Sequence, residues 1–170
     1  MDLRDKIRNI PDFPKEGILF RDITTLLKDA EAYEALITEL VKSLENYDVD
    51  IVVGPEARGF VIGSALAYAL HAGFVVARKP GKLPCETYRT EYGLEYGNDS
   101  LEIHKDAIKP GQRVAIVDDL LATGGTALAT AKLIECAGGE VVAMRFAIEL
   151  CDLNGKALLE GYDVEGIIKY

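Results

Sequence analysis

A chain of 170 residues, 49% of them hydrophobic, is long enough to bury a core without disulfides or metals and fits one domain. Its formal net charge of −9 repels polyanions at long range, which excludes general nucleic-acid and membrane-surface binding and leaves an anionic small molecule dependent on local basic groups. No stretch is long and apolar enough to span a bilayer, and the charged start from Met1 to Arg8 is not a signal sequence, so a cytoplasmic protein is expected.

In chain order, Asp2 caps a short helix over about Leu3 to Asn9. From Ile10 to Asp22, Pro11, Pro14 and Gly17 break any periodicity, which predicts an irregular arm with at most a short extended piece at Ile18 to Phe20. Tyr33, Leu36, Ile37, Leu40, Val41 and Leu44 then recur at steps of three and four, the stripe of an amphipathic helix starting near Asp29. Ile51 to Val53 reads as a buried strand, Gly54 to Gly59 as a loop, and Phe60 to Leu70 as an apolar helix. A further strand, Phe74 to Ala77, delivers Arg78 and Lys79 at its carboxyl end. Pro80 to Ser100 carries Tyr88, Tyr92 and Tyr96 without a helical stripe, the mark of a long loop or a mobile hairpin, with Leu101 to His104 as its return strand. A connection of that length inside a compact domain is usually a functional lid.

Val114 to Val117 has the character of a strand buried on both faces. It ends at Asp118 and Asp119, and Thr123, Gly124, Gly125 and Thr126 lead into a helix from Ala127 to Cys136, closed by Gly138 and Gly139. Glu140 to Ile148 is a further strand, Leu153 to Glu160 looks helical, and Val164 to Ile168 is a last strand against which Gly166 counts. This alternation predicts an α/β fold, a mostly parallel central sheet flanked by helices, with its βα turns opening on one edge. Cys85, Cys136 and Cys151 are odd in number and lie far apart, so free thiols are expected rather than a disulfide framework or zinc site. His71 and His104 lack metal-spaced partners and read as packed or surface histidines.

The chemistry concentrates between Asp118 and Thr126. Carboxylates accept hydrogen bonds and bind hard cations, so the adjacent aspartates suit either a ribose diol or the water shell of Mg²⁺. Ala122 to Thr126 supplies successive backbone N–H groups and two hydroxyls at a helix start, a cradle for a phosphate monoester. A bare Thr-Gly-Gly would be no more than a capped turn. The common nucleotide loops are excluded: Gly54 to Gly59 is followed by Phe60 rather than by lysine, and no G-x-G-x-x-G opens a helix after a strand.

An apolar strand, two acids, two spacers and Ala122-Thr-Gly-Gly-Thr126 resembles the phosphoribosyl pyrophosphate signature of the type I phosphoribosyltransferases. Pro11 to Pro14, Phe20 to Ile23, Arg58 to Phe60, Arg78 to Pro84, Leu94 to Gly97 and Leu101 to His104 extend the likeness, in order, over nearly the whole chain and narrow it to the adenine-using branch of that family. The resemblance implies one domain over 1–170, with an N-terminal hood over about 1–28 and a catalytic lid over about 80–100. It implies transfer of a 5-phosphoribosyl group to adenine, Mg²⁺ carried with the donor and no confidently assigned direct protein ligand to the metal, and a homodimer. On the same likeness Ala122, Thr123, Gly124, Gly125 and Thr126 hold the 5-phosphate, and Asp118 and Asp119 the ribose or the metal's waters. Arg58, Arg78, Lys79 and Lys82 meet the pyrophosphate, Leu19, Phe20 and Arg21 the adenine, and Glu95 is the acid or base partner of the purine with Tyr96 beside it in the lid. Glu56-Ala57 falls where relatives hold a strained peptide. A regulator that binds the donor without turnover is the rival class, against which the intact Arg58, Arg78 and Glu95 count; within enzymes the rival is a transferase for another purine.

Overall fold

The computed structural model describes residues 1–94 and 97–170, with side chains for all of these but 92–94 and 97–98. At the amino end Asp2 does cap a helix, accepting the N–H of Arg4 at 2.9 Å, but that helix is a single 3-10 turn over Leu3–Lys6 rather than one reaching Asn9. Ile7 turns extended and buries, and Arg8–Ile10 becomes strand β1, antiparallel to β2, Phe20–Asp22. The cause is a long-range charge pair. Arg8 lies directly across from Asp22 and donates to its Oδ2 from Nε at 2.9 Å, while the Thr24 N–H and hydroxyl donate to Oδ1 at 2.9 and 2.7 Å. The extended piece is therefore shifted two residues beyond Ile18–Phe20. The arm between the strands closes on itself, with Asp12 Oδ1 accepting the Gly17 N–H at 2.8 Å and the Phe13 N–H bonded to the Ile18 carbonyl at 3.1 Å. The Phe13–Pro14 peptide is cis.

After a short helix α1, Thr24–Leu27, the stripe read from the sequence forms α2, Ala30–Ser43, with Asp29 as its cap accepting the Ala32 N–H at 3.2 Å. Then come β3, Ile51–Pro55, α3, Arg58–Leu70, and β4, Gly73–Ala77. Next is an antiparallel hairpin, β5 Thr87–Leu94 and β6 Gly97–His104. Of the two readings of the long connection, loop or hairpin, the hairpin holds, and its return strand begins at Gly97 rather than Leu101. The remaining elements are β7, Arg113–Leu121, α4, Gly125–Cys136, β8, Glu140–Glu149, α5, Gly155–Leu158, and β9, Val164–Lys169. The helix expected over Leu153–Glu160 shrinks to α5 behind a 3-10 turn at Cys151–Leu153, because Asn154 between them takes a left-handed conformation, φ 49°.

The main sheet has the order β4-β3-β7-β8-β9, and all its neighbours are parallel. One face is covered by α2 and α3, whose Leu36, Leu40, Ile62 and Leu66 are fully buried against Ala115 and Val117. The other is covered by α4 together with the hairpin, so Leu101 and Ile103 share a core with Leu133, Ile134, Ile116 and Met144. The two cores sandwich the sheet, which is why β7 is apolar on both sides. Among the described residues no helix is long and apolar enough to cross a membrane, and the three cysteines are free and exposed.

The Arg8–Asp22 clasp generates a pH dependence. The Thr24 hydroxyl and then the Arg8 guanidinium hold the Asp22 carboxyl down from 3.8 to about 2. Stability from this group is fully present above its unfolded value and is lost as pH falls through the folded one. In thermal melts, the difference in Tm between wild type and Asp22→Asn is expected to be constant from pH 5 to 7 and to shrink between pH 4 and 2. A difference that stays constant down to pH 2 would show that Asp22 contributes nothing through its charge.

Candidate active site

The carboxyl ends of β3, β4 and β7 meet at one edge of the sheet. Beyond Pro55 comes the Glu56–Ala57 peptide, which is cis, and then α3, which starts at Arg58 rather than at Phe60. That start sits directly on β7. A Cβ at Gly59 would lie 2.9 Å from Pro55 Cδ and 3.0 Å from Asp118 Oδ1, so glycine is what permits the approach. The approach brings Arg58 Nε into a hydrogen bond with Asp119 Oδ2.

Both aspartates lie within β7 rather than at its end, because β8 continues beside them, with Asp118 opposite Phe146 and Leu121 opposite Glu149. Asp118 Oδ1 accepts the Asp119 N–H at 2.8 Å. Burial, and then the Asp119 charge beside it, push the Asp118 carboxyl well above the usual carboxylate range. Asp118 and Asp119, with Glu56, Ala57, Arg58, Leu120, Ala122 and Thr126, border a cleft of about 340 Å³.

Ala122 to Thr126 wraps a smaller hollow of about 80 Å³ next to that cleft. Gly124 precedes α4 with φ 91°, and α4 begins at Gly125, two residues before the expected Ala127. The N–H groups of the helix's first turn have no acceptor within it, so the hollow is bordered by free donors at the positive end of a helix dipole. Gly155, more than thirty residues along the chain, packs against this loop. A Cβ there would lie 2.5 Å from the Ala122 carbonyl oxygen, and one at Gly124 would lie 2.8 Å from the Gly155 carbonyl oxygen. Asn154-Gly155 is a turn signal within the stretch whose pattern looks helical, and it is the one local sign of this contact.

Arg78 follows β4, and its Nε stands 3.3 Å from Glu56 Oε1, an ion pair without hydrogen-bond geometry. Its guanidinium also lies 5.7 Å from the centre of the Phe60 ring. The Lys79 N–H donates to the same Glu56 oxygen at 2.7 Å, and Lys79 Nζ is 3.5 Å from Asp99 Oδ2. Glu102 fixes this segment: it exchanges backbone hydrogen bonds with Arg78 at 2.9 and 2.7 Å, and its carboxylate accepts the Gly81 N–H at 3.2 Å and the Thr87 hydroxyl. Lys82 is exposed and does not border the cleft. The structure thus brings Arg58 into the cleft and sets Arg78 and Lys79 beside it through Glu56.

From the arm, the Phe20 ring meets Phe13 edge-on at 5.1 Å and has the Arg58 guanidinium 5.8 Å from its centre. Leu19 is exposed. The Arg21 side chain is engaged elsewhere: Nη1 donates to Asn9 Oδ1 at 2.5 Å and the guanidinium stacks 3.8 Å from the Tyr170 ring. Any contact from Arg21 to a ligand in the cleft is left to its backbone. Glu95 and Tyr96 lie outside the described residues. Among the described residues no cluster of three or more His, Cys, Asp or Glu forms a metal cage.

The model of the phosphoribosyl transferase domain family matches residues 23–166. The adenine phosphoribosyltransferase of Alkaliphilus metalliredigens is 64% identical over 170 residues, all of both chains. The crystal structure of the adenine phosphoribosyltransferase from Thermoanaerobacter pseudethanolicus superposes with a TM-score of 0.97 at 57% identity, over 99% of this chain and 98% of that one. The enzyme of that name from Saccharomyces cerevisiae, solved with adenine and an imino-altritol bisphosphate, gives 0.92 at 38% identity, over 98% and 97%.

Since the folded state holds the Asp118 proton more tightly than the unfolded chain, its contribution to stability is present at low pH and lost as pH rises through the raised pKa. Asp118→Asn keeps an acceptor for the Asp119 N–H and removes the cost of ionising a buried group as pH rises. At pH 7 it is expected to raise Tm by about 2–4 °C while weakening binding of a ribose phosphate about tenfold or more. Calorimetry and ligand titration check both, and a lowered Tm at pH 7 would contradict the assignment.

Proposed function

The chain belongs to the phosphoribosyl transferase domain family, and from that premise we propose that it transfers the 5-phosphoribosyl group of phosphoribosyl pyrophosphate to N9 of adenine, giving AMP and pyrophosphate in purine salvage. The observation that carries this reading is one cleft in which Asp118, Asp119, Ala122 and Thr126 face Arg58, with Phe20 standing 5.8 Å from the same guanidinium. Phosphate, sugar, leaving group and base each have a surface of matching chemistry there.

The free N–H groups and hydroxyls of Ala122, Thr123, Gly124, Gly125 and Thr126 bind the 5-phosphate. Asp118 and Asp119 accept the ribose hydroxyls. In the transition state the bond from C1 to the pyrophosphate oxygen breaks as the bond to N9 forms, positive charge develops on the ring, and the leaving group gains negative charge. Arg58, Arg78, Lys79 and Lys82 answer that negative charge, where pre-set cations are worth most. Leu19 and Arg21 offer backbone groups to the N6/N1 edge of adenine, and Phe20 offers its ring face. Glu95 holds and moves the purine ring proton, and Tyr96 closes over the site with the lid, which excludes water from the activated sugar.

Two neighbouring carboxylates bordering the cleft, with burial and the Asp119 charge raising the Asp118 carboxyl above its usual range, suit the water shell of a hard divalent ion. Asp118 and Asp119 would hold waters of the Mg²⁺ carried with the donor, with no direct protein ligand to the ion assigned, and when bound the ion would neutralise charge on the donor. The enzyme is one domain, with residues 1–28 as hood and 80–100 as lid, and it acts in the cytoplasm as a homodimer. In support of the dimer, α3 exposes Val61 and Tyr68, 43% and 87% accessible, on a face that a second copy would cover.

Labelled adenine supplied with donor and Mg²⁺ is expected to yield labelled AMP, with hypoxanthine and guanine failing to compete. Folded protein that binds donor in a calorimeter but forms no nucleotide would favour a regulatory binding module instead. Glu95→Gln is expected to lower kcat by about a hundredfold or more while donor affinity changes little; equal turnover would remove Glu95 from its role.

A further inference from the structure

Resting on the proposed function, we infer that Glu149 and Lys156 are positioning residues for the 5-phosphate loop. Glu149 is the last residue of β8, and its side chain is 9% accessible, with Oε2 3.2 Å from Lys156 Nζ. Among the described residues Oε2 makes no hydrogen bond, so this carboxylate oxygen relies on one Coulombic partner. A pair between a buried carboxylate and a half-exposed lysine is a modest source of stability, since desolvation of the carboxylate offsets much of an attraction that solvent already screens. What it does supply is a fixed position.

The surroundings are shaped to admit it. A Cβ at Gly166 on β9 would lie 2.4 Å from Glu149 Cβ and 2.9 Å from Glu149 Oε2, so glycine in that strand makes the room for the carboxylate. Lys156 belongs to α5, a helix of four residues, too short to persist by its own hydrogen bonds and dependent on outside tethers. The residue before it, Gly155, presses on the loop at two points, the Ala122 carbonyl and Gly124. Leu159, just past α5, also approaches Gly124, 3.4 Å from the position of a Cβ there. A continuous line of contact therefore runs from Gly166 through Glu149, Lys156 and Gly155 to the backbone that would hold the phosphate. Neither Glu149 nor Lys156 borders the hollow itself. Their effect on a ligand passes through the loop.

The test uses the whole chain, with Lys156→Met, Glu149→Gln and Lys156→Arg. Steady-state kinetics give kcat and the donor KM, and calorimetry gives the Kd of ribose 5-phosphate, which reads the loop, and of pyrophosphate, which reads the cations at the other end. Lys156→Met and Glu149→Gln are each expected to raise the donor KM and the ribose 5-phosphate Kd by about tenfold, as loss of a supporting shell does elsewhere. The expected kcat and pyrophosphate Kd stay near wild type, and Lys156→Arg, which keeps the positive charge, retains wild-type affinity. An unchanged ribose 5-phosphate Kd in the folded variants overturns the assignment, as does an equal loss of pyrophosphate affinity, which marks general damage. Should Lys156→Met fail to fold, the nearly isosteric Glu149→Gln decides by the same readouts. Wild-type protein that neither binds ribose 5-phosphate nor turns over donor would overturn the proposed function itself, a result distinct from any difference between variants.

Discussion

Everything at the site depends on the parallel pairing of β3, β4 and β7, which forces their carboxyl ends onto one edge. A parallel pair needs a crossover between its strands, and the crossovers here are of two kinds. From β3 to β4 and from β7 to β8 the chain returns through a helix, whereas between β4 and β7 it makes the β5–β6 hairpin, which joins α4 in covering the sheet. The cationic segment after β4 is therefore rooted in the core through Leu101 and Ile103, and Glu102 between them clamps Arg78, Gly81 and Thr87. A hairpin whose return strand is buried has a fixed base.

The charges at this edge are internally matched. Arg58 is bonded to Asp119, Arg78 is paired with Glu56, and Lys79 with Asp99. Such pairing lets a chain of net charge −9 keep several cations at one edge, each held in place by a carboxylate. An anion that drew Arg58 away from Asp119 would leave that carboxylate without its cation.

Local signals made much of this legible in the sequence. The β7 run, the Ala122 to Thr126 loop and the Asp29 cap of α2 each lie within a few residues and depend on neighbours in the chain. What escaped depends on partners far away. β1 exists because Arg8 meets Asp22, and β7 runs past Asp118 because β8 accompanies it to Glu149. The fit of Gly155 against Ala122 joins residues more than thirty apart. Gly166 is the clearest case: a glycine that weakens a strand by propensity is there because a carboxylate from the next strand occupies the space of its side chain.

The loop from Ala122 to Thr126 borders its hollow with backbone N–H groups and with glycines whose missing side chains set its shape. Substitution has little purchase on it, since a new side chain at Gly124 or Gly155 collides with backbone and distorts the loop whatever it binds. An inhibitor anchored there therefore leaves few escape routes by point mutation. One that drew its affinity from the exposed arm around Leu19 and Phe13 would face residues free to change.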